Sequence, residues 1–300
     1  MVTLPLSSFD PSETFFCGQC FRFTETQPGV FSGVARHHQL TVTQTETALL
    51  LSGDEALFRS TWYDYLDLGL DYPALLQEFA RLSPVLQEAA QYAGGIHILR
   101  QDPWEALCSF ILSQNNHIPR IRGMIARLCE TLGEPLTGGT DFDFPTPEKL
   151  AGCSPEDLTP IRAGFRTRYL LDAAQRVAGG DVDLAACQTL PLPEARQMLQ
   201  QIRGVGPKVA ECVLLYGCHR LQAFPLDVWM LRAMEAWFPG QTAADFGPYA
   251  GVAQQLIFHY SRMHPDCFTK TAKRLKKRSF LSWTEPVKTD NRQNAPCVGK

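Results

Sequence analysis

The chain has 300 residues, 45% of them hydrophobic and 20% charged, with a formal net charge of −3. That composition supplies a core for one large or two ordinary domains and excludes wholesale disorder, a collagen-like chain and a coiled-coil rod. No run of about 18 apolar residues occurs, so no membrane span or membrane partner is expected.

The first residues, Met1 to Phe16, lack the basic start and apolar stretch of a signal peptide. The chain is therefore expected not to be secreted, and its ten cysteines to be thiols. The charge is unevenly spread. Residues 270–300 hold nine basic and two acidic residues, a charge of +7, which leaves −10 on the rest. A basic tail suits nucleic acid through counterion release, and equally suits a solvated or targeting tail. An acidic body is no general phosphate binder, so any nucleic-acid site within it must be local.

In chain order, residues 15–52 read as strands: Phe21–Thr26, Gly29–Ala35, Gln39–Thr45 and Ala48–Leu51 are short runs rich in Phe, Val, Thr and Leu, separated by turn signals. From Asp54 the apolar spacing becomes three and four, predicting helices over Asp54–Leu68 and Pro73–Tyr92. Gly94-Gly95 closes that block. Beyond it helices are predicted at 103–114, 117–132, 155–162, 167–178, 194–202, 207–217, 227–237 and 247–263, with Leu136–Pro147 as a loop. Strands first and helices afterwards argue for an α+β fold. The expected organisation is an antiparallel sheet with helices over 1–95, an all-helical domain over 96–268 and a basic, mobile tail over 269–300, with Ser279–Trp283 as a docking patch.

The informative stretch is Leu199 to Cys212. An amphipathic helix ends at Ile202, Gly204-Val205-Gly206 turns tightly, and a second helix starts near Pro207-Lys208. Glycines permit backbone geometry closed to other residues, and proline suits a first helical turn. Turn N–H groups at a helix N-terminus make an anion site fit for a phosphate. This is a helix-hairpin-helix pattern, although short αα connections are common in themselves. Nineteen residues after Lys208 comes Asp227, within Phe224-Pro225-Leu226-Asp227-Val228-Trp229. One helix and a return loop bring the two together.

With these residues the chain resembles the 8-oxoguanine DNA glycosylase/AP lyase family of helix-hairpin-helix glycosylases. The resemblance runs in order through residues 15–265. It includes Phe16-Cys17-Gly18-Gln19-Cys20-Phe21-Arg22, similar to the family's lesion loop, and Tyr63-Asp64-Tyr65-Leu66-Asp67. It continues through Ser113-Gln114-Asn115-Asn116-His117-Ile118, Gly164-Phe165-Arg166-Thr167-Arg168-Tyr169 and Gly247 to Gln254.

The resemblance implies a bifunctional enzyme that excises 8-oxoguanine, and formamidopyrimidine with it, from damaged duplex DNA. Lys208 would be the nucleophile, forming a Schiff base that permits β-elimination. An amine at a desolvated helix N-terminus sheds its proton more readily than a free one. Asp227 would stabilise positive charge on the sugar, although the position equally suits a plain helix cap. Flipping the base out of the duplex requires a pocket. Phe258 and Cys212 match the family residues on the two lesion faces, Gln254 the one reading the Watson–Crick edge, and Gly18 the one whose carbonyl accepts the N7 hydrogen of the oxidised base. Asn115 would fill the hole left by flipping, Arg120 and Arg166 would read the partner base, and Gly204 and Gly206 would hold phosphate. Phe165 stands where animal members carry a Tyr wedge, and Trp229 where they carry a His. Each keeps a ring but loses a polar contact.

Two alternatives differ in kind. An alkyladenine-type glycosylase would keep the Asp but lack the hairpin lysine, and a catalytically silent DNA-binding module would need neither. Cys17-x-x-Cys20 also resembles a redox pair or half a zinc site, but no second close pair with zinc spacing follows. Only Cys267 and Cys297 lie beyond Cys218, too few for an iron–sulfur cluster. The expectation is no cofactor and no iron–sulfur cluster, with room for a structural cation at the hairpin, and a monomer acting in the cytoplasm (nucleoid) of a bacterium or the nucleus of a eukaryote.

Overall fold

The computed structural model describes residues 1–6, 9–137 and 141–265. The basic tail and its Ser279–Trp283 patch therefore lie outside the described residues. The N-terminal part is a five-stranded antiparallel sheet in the order β1-β5-β4-β3-β2, built from β1 (Val2–Pro5), β2 (Phe23–Gln27), β3 (Val30–Ala35), β4 (His38–Gln44) and β5 (Ala48–Leu51). The register sets Phe31 against Val42 and Gly33 against Leu40, so one face buries Phe31, Leu40 and Val42. Gly33 has no alternative: a Cβ there would lie 2.6 Å from the Phe23 ring. The β3–β4 turn places Arg36 and His37 at φ 47 and 65. A two-residue turn of that hand usually calls for Asn-Gly. Here Arg36 is anchored by donating to the Arg100 carbonyl (2.7 and 3.2 Å) and pairing with Asp64 at 2.9 Å.

Four strands match the sequence reading to within a residue or two. The edge strand β1 was not expected, because four residues ending in proline carry almost no alternation. Residues 15–22 were expected as part of the strand region. Instead α1 (Pro11–Phe16) is a helix capped by Asp10, whose Oδ1 accepts from the Glu13 N–H at 2.9 Å, and a loop follows. The cap signal, Asp followed by Pro, was present in the sequence.

The predicted helix 73–92 is two, α2 (Tyr72–Leu82) and α3 (Pro84–Ala93). Ser83 caps the second and Pro84 cannot continue the first. There follow α4 (Pro103–Ser113), α5 (Ile118–Leu132), a short unexpected helix at Pro147–Ala151 that begins at the last residue of the expected 136–147 loop, α6 (Thr167–Ala178), α7 (Leu192–Leu199), α8 (Pro207–Cys212, running on as a π turn Val213–Gly217), α9 (Val228–Trp237) and α10 (Ala250–Met263). Residues 155–162 form only a 3₁₀ turn, Thr159–Ile161.

Two apolar cores result. One lies under the sheet around Phe15, Phe23, Trp62 and Leu66; the other fills the helical part. The expected boundary at Gly94-Gly95 does not divide them. Tyr72, Leu75, Phe79 and Leu86 of α2 and α3 belong to the helical core, and the loop after α1 straddles both, with Cys17 in one and Cys20 in the other. Gly95 is pressed against α1, where a Cβ would lie 2.3 Å from Asp10 Cβ.

The segment after it, 96–101, is buried without regular structure. Buried N–H groups must find acceptors, and half of these find them on distant side chains. His97 N–H donates to Thr14 Oγ1 (3.2 Å), Ile98 N–H to Tyr72 Oη (2.7 Å) and Leu99 N–H to Gln19 Oε1 (2.9 Å). Arg100 and Gln101 N–H reach the carbonyls of Tyr65 and Tyr216.

Candidate active site

The hairpin connects α7 to α8. Gly204 has φ 81, and a Cβ on it would stand 2.4 Å from the Tyr169 ring. Only glycine fits there, both for backbone and for space. Gly206 is different. Its φ of −92 and ψ of −177 suit any residue, and a Cβ there would meet nothing within 4 Å. The expectation that both glycines are conformationally required is corrected: the second leaves open space at the N-terminus of α8 without needing special geometry.

Lys208 occupies the first turn of α8, half-buried, with Nζ 5.3 Å from the centre of the Phe110 ring. Cys212, one turn on, is buried, and burial pushes its thiol up to about 11 against the opposing pull of Lys208.

Asp227 is the N-cap of α9. Its Oδ1 accepts from the Trp229 and Met230 N–H groups, both at 2.9 Å. Burial raises its carboxyl above the usual value, while those N–H groups, Lys208 and Arg262 all pull it down. The cap bonds and the two cations thus work against burial at one carboxyl group. Trp229 lies half-buried beside it, with the Arg232 guanidinium 5.4 Å from its ring.

Helix α10 carries the opposite wall. Gln254 and Phe258 are four residues apart and share a face. Gln254 is only 3% exposed: Nε2 donates to the Pro225 carbonyl at 3.1 Å, two residues before Asp227. Its neighbour Gln255 donates to the Cys17 carbonyl at 3.4 Å and accepts from Tyr216 Oη. The two glutamines therefore tie α10 to the loop before Asp227 and to the loop that begins at Cys17. Gly18, at φ 99, lies beside Phe258, whose Cε1 would be 3.7 Å from a Cβ on it. Cys17 and Cys20 are free thiols in different cores, with Cys17 pushed up to about 12 by burial. Among the described residues no group of three or more His, Cys, Asp or Glu could hold a metal, so any cation at the hairpin would rest on backbone oxygens.

A second cluster surrounds Asn115, which is exposed with φ 47. Arg166 is only 2% exposed and braces this loop. Nε donates to the Gln114 carbonyl (2.9 Å), Nη2 to the Gln114 and Asn115 carbonyls (3.0 Å to the latter), and Nη1 to Ala163 (3.3 Å). The structure thus gives Arg166, expected as a base reader, a holding task. Arg120 is exposed and near enough to lower the Arg166 guanidinium, and makes no side-chain hydrogen bond or ion pair among the described residues. Phe165 is 46% exposed, edge-on to Tyr169 at 5.8 Å, with the Arg166 guanidinium 4.4 Å from its ring centre. Tyr169 therefore links the exposed ring to Gly204.

Sequence reasoning missed Gln255, Tyr216 and Arg262. Arg262 had a signal, lying four residues after Phe258 and eight after Gln254. The other two had none, because their partners are far away in the chain.

A hairpin lysine, a capping aspartate and an N-terminal loop set against α10 define a helix-hairpin-helix DNA glycosylase with lyase activity, and the comparisons agree. Residues 1–107 match the family model for the 8-oxoguanine DNA glycosylase N-terminal domain, and residues 108–245 that for the HhH-GPD superfamily of base excision DNA repair proteins. The chain is 30% identical over 293 residues to the N-glycosylase/DNA lyase OGG1 of Arabidopsis thaliana, covering 86% of this chain and 76% of that protein. Among solved structures, MBOgg1 in complex with a low-affinity DNA ligand superposes with a TM-score of 0.82 at 36% identity, over 88% of this chain and all of that one. The Clostridium acetobutylicum 8-oxoguanine glycosylase/lyase, in complex with double-stranded DNA containing cytosine opposite 8-oxoguanine, gives 0.81 at 32% identity, over 88% and 99%. The chain belongs to the 8-oxoguanine DNA glycosylase family.

Proposed function

We propose that this enzyme excises 8-oxoguanine, and formamidopyrimidine with it, from duplex DNA as a monomer, through a Schiff base on Lys208. The observation that carries the reading is the cluster of Lys208, Cys212 and Asp227, joined through the field of Arg262 to Gly18 and Phe258, beside which that arginine stands. The Lys208 amine attacks C1′ as the bond to N9 breaks and the base leaves, taking up a proton. Asp227, fixed by its cap bonds, stabilises the positive charge that develops on the sugar. Loss of the ring oxygen's bond to C1′ gives the imine. Removal of a C2′ proton then expels the 3′ phosphate, cleaving the strand. The flipped base lies between Phe258 and Cys212. The Gly18 carbonyl accepts the N7 hydrogen of 8-oxoguanine and repels the N7 lone pair of guanine. Asn115 fills the vacated stack, with Phe165 as wedge, and Arg120 donates to the acceptors of an orphaned cytosine.

Borohydride reduction during turnover tests this. The parent chain should become covalently linked to an 8-oxoguanine duplex. Lys208→Gln, which keeps the hairpin, should bind that duplex and lose excision and crosslinking together. Crosslinking of the variant at the parental rate overturns the assignment.

A further inference from the structure

Helix α10 presents a third residue to the pocket beyond Gln254 and Phe258. Arg262 lies one turn after Phe258, and side chains on a helix lean toward its N-terminus, so it folds back over its i−4 neighbour. Its guanidinium carbon is 5.5 Å from the centre of the Phe258 ring. A Cβ placed on Gly18 would lie 3.8 Å from its Nη1. The guanidinium thus stands beside the two residues that, on the proposed reading, receive the base.

It is also uncompensated. Arg262 is half-buried, yet among the described residues no carboxylate lies within 4 Å of it and it makes no hydrogen bond. A partly desolvated guanidinium with five donors and no acceptor is a costly feature unless a partner arrives. Asp227 feels its field but does not pair with it.

The chemistry of the partner follows from Gly18. In 8-oxoguanine the N7–H is flanked by carbonyl oxygens at C6 and C8. If the Gly18 carbonyl takes the N7 hydrogen, a donor next to Gly18 meets one of those two oxygens. In unmodified guanine an arginine fork matches O6 and N7 together. Beside a carbonyl that repels the N7 lone pair, that match is lost. The pair of groups therefore suits a base with acceptor, donor and acceptor in sequence along this edge.

We propose that Arg262 is a specificity-determining residue that donates to a carbonyl oxygen flanking N7 of the flipped oxidised purine, next to the Gly18 acceptor. The proposal rests on the reading that the pocket takes 8-oxoguanine.

The test uses the full chain and Arg262→Met, which keeps an apolar stem over Phe258 and removes every donor. Single-turnover excision is measured on 8-oxoguanine opposite cytosine. Binding is measured on the same duplex with a tetrahydrofuran abasic analogue, which retains the phosphates and lacks the base. The expected result is an excision loss of about 5- to 150-fold, with tetrahydrofuran binding within about twofold of the parent's. An equal loss on the abasic duplex makes Arg262 a phosphate contact and overturns the proposal. So does an excision loss that vanishes at higher pH, which would mean that Arg262 acts only by keeping Asp227 ionised. Unchanged excision also overturns it, while leaving the functional reading intact. If the parent chain itself removes nothing from the 8-oxoguanine duplex, the functional reading fails first and the inference falls with it.

Discussion

Gln19 and Gly18 are neighbours in one loop, yet they look onto opposite kinds of surroundings. The Gln19 side chain is fully buried and satisfied: Nε2 donates to the carbonyls of Thr14 (3.0 Å) and His97 (2.8 Å), and Oε1 accepts from Leu99 at 2.9 Å. Gly18 instead faces Phe258 and a guanidinium with no carboxylate within 4 Å among the described residues. The same contrast recurs elsewhere. Arg166 has its donors engaged on three backbone carbonyls, whereas Arg120 is exposed without a side-chain partner among the described residues. Gln19 and Arg166, whose hydrogen bonds are met, hold the frame; Gly18 and Arg120 are the residues that the proposed function sets against substrate. Each substitution below breaks one side of that division.

The largest effect is expected at Asp227, which sits on both sides. Asn keeps an oxygen for the Trp229 and Met230 N–H groups, so the cap survives. It removes the negative charge, and loss of such electrostatic stabilisation costs about 10²–10³-fold in rate, or ~3–4 kcal/mol. Burial raises this carboxyl, so the folded state holds its proton more tightly than the unfolded chain does. Its ionisation therefore opposes folding as pH rises through the raised value, and stability from this group is greater on the acid side. Asp227→Asn should accordingly match or exceed the parent's Tm at neutral pH while losing excision. In the parent, the acid limb of the excision profile should lie above the ordinary carboxylate range. A variant that unfolds, with excision persisting in the folded fraction, would reduce Asp227 to a cap.

Breaking the satisfied side should act on stability rather than chemistry. Gln19→Leu strands the Leu99 N–H and the His97 carbonyl in a dry setting and leaves the Thr14 carbonyl only the Cys17 thiol. At ~1–3 kcal/mol for each group left unpaired, a loss of at least ~2 kcal/mol is expected by denaturant unfolding. Excision by the folded fraction should fall far less than in Asp227→Asn. A stability change below about 1 kcal/mol would mean that the network is not what holds the loop.

This division also explains what the sequence could reveal. The hairpin, Lys208, the capping Asp227 and four of the strands are written locally: a glycine turn, a proline in a first helical turn, alternation over six residues. The buried 96–101 segment is not, because its hydrogen bonds come from Thr14, Gln19, Tyr65, Tyr72 and Tyr216, none of them a sequence neighbour. For the same reason the core ignores the Gly94-Gly95 turn, and Arg166 could be matched to a base-reading position without its bonds to the 114–115 backbone being visible. The split at Ser83-Pro84 and the cap at Asp10-Pro11 were legible; apolar spacing outweighed the proline in one and the strand pattern nearby obscured the other.

A smaller effect separates the two arginines. Arg120→Ala should leave the fold intact and shrink the preference for excision opposite cytosine over adenine. One base contact gives ~1–3 kcal/mol of discrimination, about 5- to 150-fold in the parent ratio. Arg166→Ala should instead lower Tm and slow excision opposite every base, because the 114–115 loop loses its brace. If Arg120→Ala weakens binding to all duplexes alike and keeps the ratio, Arg120 contacts phosphate.

The smallest effect, and the sharpest form of the contrast, lies within the hairpin. At Gly204 the left-handed φ alone costs an alanine ~1–2 kcal/mol, and its Cβ would also meet the Tyr169 ring at 2.4 Å. Because that ring touches Phe165, Gly204→Ala should destabilise by at least this amount and disturb the wedge as well. Gly206→Ala has neither cost: its backbone is extended and its Cβ meets nothing. Its stability should stay within about 0.5 kcal/mol of the parent's, the usual range for a surface change away from special features. A phosphate seated on the α8 N-terminus would occupy that open space, so Gly206→Ala should still weaken binding to duplex DNA, lesion or not, and flatten its salt dependence. Loss of stability at Gly206 would show that the turn needs glycine for its own geometry. Full DNA affinity there would place the phosphate elsewhere on the hairpin.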